Sequence, residues 1–132
     1  MSIDAIGNFL TIIRNGLMAS KPVVVAPYSK IRFAIAQILK DEGFFNDFAE
    51  VLNEESQQKE IKIVLKYVDG ESVIHEIKRI SKPSERNYKG VHNLRPVIGG
   101  LGISILTTNQ GIVSNRKAKK LNVGGEVICT VW

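Results

Sequence analysis

The sequence predicts an α+β protein made of two small domains. The N-terminal one is mixed, with two helices on a three-stranded sheet. The C-terminal one is mainly β with a single short helix. Three patterns carry this expectation: apolar residues spaced at three and four residues in two early segments, strict alternation between Ile61 and Tyr67, and glycine-rich strand-like runs after Gly90. The expected boundaries are 1–80 for the first domain, 81–90 for a linker and 91–132 for the second.

The first helix rests on Ile3, Ile6, Leu10, Ile13 and Leu17, which form one apolar face. Ser2 is its expected N-cap, Arg14 and Asn15 mark its far end, and Gly16 begins the exit. "KPVVVAP" is short, β-branched and bounded by Pro22 and Pro27, which suits an edge strand. Ser29 then caps a second helix whose apolar face is Ile31, Ile35, Ile38 and Leu39, with Gly43 as its stop. "NDFAEVL" reads as a strand and "NEESQQKE" as a polar connection. In "IKIVLKY", Ile61, Ile63, Leu65 and Tyr67 share one face. An Asp-Gly turn follows, and "SVIHEIKRI" is expected to return as its hairpin partner.

"SKPSERNYKG" has the Pro, Gly, Ser and mixed charge of a connection. Gly99, Gly100 and Gly102 lead into a strand containing Ile103 and Ile105. They precede a strand rather than a helix, and no Lys-Ser/Thr follows, so neither a dinucleotide fingerprint nor a Walker loop is present. Ser114 caps a short helix whose third position is Lys117, where a capping box would carry Glu or Gln. Gly124 and Gly125 turn into a last strand that holds Val127, Cys129 and Val131.

The chain has 132 residues, enough for a core without disulfides or metals. A single cysteine, Cys129, points to a reducing, cytosol-like compartment, with burial in a strand as its expected fate. The opening "MSIDAIGNFL" lacks the features of a secretory leader, and no apolar run is long enough to span a membrane, so no membrane association is expected. Charge is divided unevenly. Residues 1–68 carry eight basic and eight acidic side chains, while residues 69–132 carry ten basic and five acidic ones. The whole net charge of +5 therefore lies in the second half. Such asymmetry suits a polyanion partner, and equally an idle basic surface.

No catalytic grouping emerges. His75, His92 and Cys129 are scattered without metal-ligand spacing. Gly-x-Ser-x-Gly is absent, and no motif places two carboxylates for acid–base work. No enzyme activity, metal or cofactor is expected. A helix-turn-helix regulator would need a polar recognition helix, and the second helix is followed by strands. The notable stretch is "SILTTNQGIVSNRKAKK", where small hydroxyl and amide groups stand beside a cationic run.

That stretch, "GLGISILTTNQGIVSNRKA" with "GGEV" after it, resembles the C-terminal signature of the eighth small-subunit ribosomal protein, in its bacterial form. "IDAIGNFLTIIRNG", "PYSKIRFAIAQILKDEGF" and "IKRISKPSERNY" resemble the family's opening helix, second helix and interdomain segment. The resemblance covers the whole chain. It implies a cytoplasmic or organellar ribosome, neighbouring ribosomal proteins as partners, and direct binding to the central domain of small-subunit ribosomal RNA, at a helix with an irregular internal loop, early in assembly. Some bacterial members also bind their own messenger RNA. It implies RNA contacts at Thr107, Thr108, Asn109, Gly111, Ser114 and Glu126, at Arg86 and Tyr88 between the domains, and at Asn15, Ser29 and Lys30 in the first domain. Asn109 stands where the family commonly has Ser, and Asn115 and Lys117 where Asp and Glu are frequent. Hydroxyls and amides suit sugar and base-edge contact, while Arg116, Lys117, Lys119 and Lys120 suit phosphates. Tyr88 suits packing against a sugar or base.

Overall fold

The computed structural model describes residues 5–132, so the expected cap at Ser2 and the apolar Ile3 lie outside the described residues. The chain divides into two units, one ending at Val73 and the other running from Ile74 to Trp132.

Unit 1 contains helix α1 (Ala5–Met18), strand β1 (Val23–Pro27), helix α2 (Lys30–Asp41), strands β2 (Phe45–Asn53) and β3 (Gln58–Leu65), and the two-residue strands β4 (Tyr67–Val68) and β5 (Glu71–Ser72). Strand order β1-β3-β2, all antiparallel, gives the expected three-stranded sheet. The alternation in β3 is real: Ile61, Ile63 and Leu65 are buried, and Lys62 between them is exposed. Phe9, Leu10 and Ile13 of α1 and Ile35, Ala36 and Leu39 of α2 are buried with them.

Three expectations for this unit are corrected. Gly16 does not end α1, which continues to Met18. It is buried, and a Cβ there would collide with Val24 Cγ1, so glycine lets the helix press onto β1. On α2, Ile31 is exposed and Arg32 is buried instead. Burial of that guanidinium is tolerated because Nε donates to the Ala5 carbonyl at 3.1 Å and Nη1 to the Pro27 carbonyl at 3.0 Å. Finally, the Asp69-Gly70 turn closes only the β4–β5 pair. The remainder of "SVIHEIKRI" does not return to β3.

That segment instead supplies strand β6 (Ile77–Arg79) to unit 2. Strand β7 (Tyr88–Lys89) comes from the expected connection. The unit continues with strands β8 (Ile103–Thr108) and β9 (Gly111–Ser114), helix α3 (Asn115–Leu121) and strand β10 (Gly125–Val131). Two short helical turns, Val91–Asn93 and Ile98–Gly100, lie between β7 and β8. The sheet runs β6-β10-β8-β9, with β7 paired to the start of β10 beyond the reach of β6. Its strands are all antiparallel, with a bulge in β10 between Val127 and Cys129.

One face of this sheet carries Leu106, Val113 and Val127, which cluster with Leu94 and with Ala118 of α3. The register places Ile103, Ile105, Cys129 and Val131 on the other face, all buried. Burial pushes the Cys129 thiol up to about 12, outweighing the opposing pull of the Arg79 cation.

Candidate nucleic-acid interface

A single row of side chains crosses the sheet of unit 2. Glu126 on β10 pairs with Tyr88 on β7 on one side and with Thr107 on β8 on the other. Thr107 pairs in turn with Ile112 on β9. Directly opposed residues share a face, so an aromatic ring, a carboxylate and a hydroxyl stand side by side. Tyr88 is 68% exposed, unusual for so large a side chain within a sheet. Arg86 joins the row by donating from Nη1 to Glu126 Oε2 at 3.0 Å.

Two glycines make the row possible. A Cβ at Gly125 would run into the Thr107 carbonyl, and one at Gly124 into the Lys89 carbonyl. Only a chain without side chains there lets β10 start between β7 and β8.

Beyond Thr107 the β8–β9 turn presents Asn109 and Gln110, both exposed. Thr108 is committed to the turn itself. Its Oγ1 donates to the Gly111 carbonyl at 2.8 Å and accepts from the Gln110 N–H at 3.0 Å. Gly111 takes a φ of +99°, which the turn needs.

The turn's second strand leads into α3. Ser114 caps this helix as expected, accepting from the Lys117 N–H at 3.2 Å. Asn115 is buried and accepts from the Ser104 N–H at 3.2 Å, which ties the start of the helix to β8. With Ala118 fully buried, Lys117, Lys119 and Lys120 are left exposed. Arg116 points elsewhere: Nη2 donates to the carbonyls of Gly100 and Gly102, so it fastens the loop before β8.

Asn15, Ser29 and Lys30 belong to unit 1. Asn15 is exposed on the last turns of α1, and Lys30 is exposed at the start of α2. Ser29 caps α2 by accepting from the Arg32 N–H at 3.1 Å. The expected contact residues leave out Gln110, although it lies in the polar stretch noted in the sequence, and Lys89. Gln110 shares the turn tip with Asn109. Lys89 follows Tyr88 in β7 and therefore projects from the opposite face, a relation visible only once that stretch is known to be a strand.

Among the described residues, no three of His, Cys, Asp and Glu come together to hold a metal ion, and no helix is long and apolar enough to cross a membrane. An α+β scaffold that exposes an aromatic, a hydroxyl and amides on one sheet and its turn, with lysines on the helix that follows, has the chemistry of a nucleic-acid-binding surface. The family profile described as Ribosomal protein S8 matches residues 4–132. Relatives named small ribosomal subunit protein uS8 include one from Pseudomonas paraeruginosa, 49% identical over 129 residues, 98% of this chain and 97% of the relative. Another, from Maricaulis maris, is 50% identical over 128 residues, 97% of this chain and 96% of the relative. That of Marinobacter nauticus is 46% identical over 129 residues, 98% and 97% of the two chains. The chain belongs to the ribosomal protein S8 family, a structural, non-enzymatic component of the small ribosomal subunit.

Proposed function

We propose that this chain binds the central domain of small-subunit ribosomal RNA directly, early in assembly of a cytoplasmic ribosome, and recognises a helix with an irregular internal loop. The observation that carries the reading is the row Tyr88–Glu126–Thr107, with the Asn109–Gln110 turn at its end and the α3 lysines nearby along the chain.

Each group has a task that its chemistry suits. The A-form major groove is too narrow for side chains, whereas the shallow minor groove displays 2′-hydroxyls and base edges. Thr107 and Asn109 are short enough to meet those groups. The ring of Tyr88 offers a flat surface for an unpaired base or sugar. Glu126, held by Arg86, accepts from a base amino group or a 2′-hydroxyl. Lys117, Lys119 and Lys120 neutralise phosphates and set register. Thr108 and Ser114 act mainly by shaping the turn and the helix start, and Arg116 by holding its loop. Asn15, Ser29 and Lys30 add contacts from unit 1. An irregular helix of the same form in the chain's own messenger RNA would occupy the same surface.

Titration of the protein against a hairpin with the irregular loop and a fully paired hairpin, across salt concentrations, tests the reading. A preference for the irregular hairpin that persists at high salt is the expected result. Equal, salt-sensitive binding to both would overturn it, since phosphate contact alone behaves that way.

A further inference from the structure

The opposite face of the same sheet holds a cleft of about 270 Å³. Ile80, Leu94, Val97 and Val127 give it apolar walls, and Lys89 and Arg95 stand at it as exposed cations. Asn87, Asn93, Ser104 and Thr130 add amides and hydroxyls, and no acidic residue among the described ones lines it. Neither the Lys89 nor the Arg95 side chain has a hydrogen bond or ion pair among the described residues. Two unneutralised cations beside an apolar cavity are poorly explained as structural support.

We infer that this cleft takes one unpaired nucleotide of the bound RNA, its base against the apolar wall and its phosphate on Lys89 and Arg95. Size favours this occupant: drug-sized ligands fill pockets of about 300–1,000 Å³, and this cleft lies just below that range. Chemistry favours it as well. Bases present flat faces to apolar walls and hydrogen-bonding edges to amides, and the adjoining phosphate needs cations. So does position. Among the described residues β7 is paired on one side only, to β10. Tyr88 stands on one face of this edge strand and Lys89 on the other, so an RNA strand crossing the edge reaches both. The inference rests on the RNA-binding reading above and adds a second, separate RNA subsite to it.

The test uses the full chain and the irregular hairpin, with the variants Lys89→Gln/Arg95→Gln and Thr107→Ala. Affinities are measured across salt, and backbone amide NMR shifts of Asn93, Leu94 and Val127 follow the cleft. Both exchanged cations are exposed, so the double variant does not touch the core. Expected are RNA-induced shifts at those three amides, about a tenfold weaker complex for the double variant, and a salt slope lower by about 0.7 for each phosphate no longer neutralised. If the wild type prefers the irregular hairpin but the double variant binds equally well and the cleft amides stay still, the inference falls and the proposed function stands. If the wild type shows no preference, the proposed function falls instead, and the cleft inference stands only if the three amides still shift. Should a short peptide with a free carboxylate move those amides while RNA does not, the cleft is a protein-docking site and the inference is overturned.

Discussion

Arg86 donates to the carboxylate of Glu126 at 3.0 Å, across a sequence separation of 40 residues. The pair sets the only carboxylate on the Tyr88–Thr107 row beside a cation, which limits its repulsion of approaching phosphates.

Replacing Glu126 by Ala should therefore separate specificity from affinity. Arg86 is more than half exposed, so the ion pair contributes little to stability, at most about 1 kcal/mol. Affinity for a paired control hairpin should hold or rise, because one negative charge is gone. The advantage of the irregular hairpin should shrink. Competition binding between the two RNAs reads both quantities, and an undiminished preference would remove Glu126 from recognition.

Lysines and hydroxyls should fail in different ways. Changing Lys117, Lys119 and Lys120 to Gln should flatten the dependence of log affinity on log salt, by about 0.7–0.9 for each phosphate no longer neutralised. Changing Thr107 and Asn109 to Ala should leave that slope alone and reduce discrimination. Thr108→Ala belongs to neither class, since its hydroxyl bonds only within the turn; a loss of about 1 kcal/mol in stability is expected, restored by Ser. Paired salt titrations and denaturant unfolding distinguish the three behaviours.

Asn115→Ala should act through the position of α3. It removes the acceptor of the buried Ser104 N–H and should cost about 1–3 kcal/mol. Asn115→Asp keeps an acceptor and should be milder. Chemical denaturation measures both. An alanine variant as stable as the wild type would mean that the helix start is held by other interactions.

Cys129 should resist thiol reagents in the folded chain. Its thiol is pushed up to about 12 from 9.0 by burial, so the folded state holds its proton where the unfolded chain releases it. The unfolded state then binds fewer protons, and stability from this residue declines as pH rises from 9.0 towards about 12. Disulfide-exchange labelling at mildly alkaline pH should be slow in native buffer and fast in denaturant. Rapid native labelling would contradict the buried environment.

What could be read from the residues was mostly local. The caps Ser29 and Ser114 bond to N–H groups three residues on, and the alternation of Ile61, Ile63 and Leu65 is written in consecutive positions. Family motifs added the expected contact residues as a set, without their geometry. The hairpin expected for "SVIHEIKRI" failed because an Asp-Gly turn specifies its own closure but not how far the strands stay paired. The apolar pattern places Ile31 on the buried face of α2, and the burial of Arg32 in its stead was not legible because the acceptors of Arg32, Ala5 and Pro27, belong to other elements.

The sequence by itself determined the α+β class, the two helices with the capping of the second, the placement of positive charge in the second half and the membership of a ribosomal family. All of these depend on composition or on short runs of neighbouring residues. Only the tertiary structure decided that Ile77–Arg79 and Tyr88–Lys89 join the last strand. It also decided that Tyr88, Glu126 and Thr107 form one row, and that Lys89 faces away from them. Those are matters of strand register and pairing between distant segments, where a shift of one residue moves every side chain to the other face.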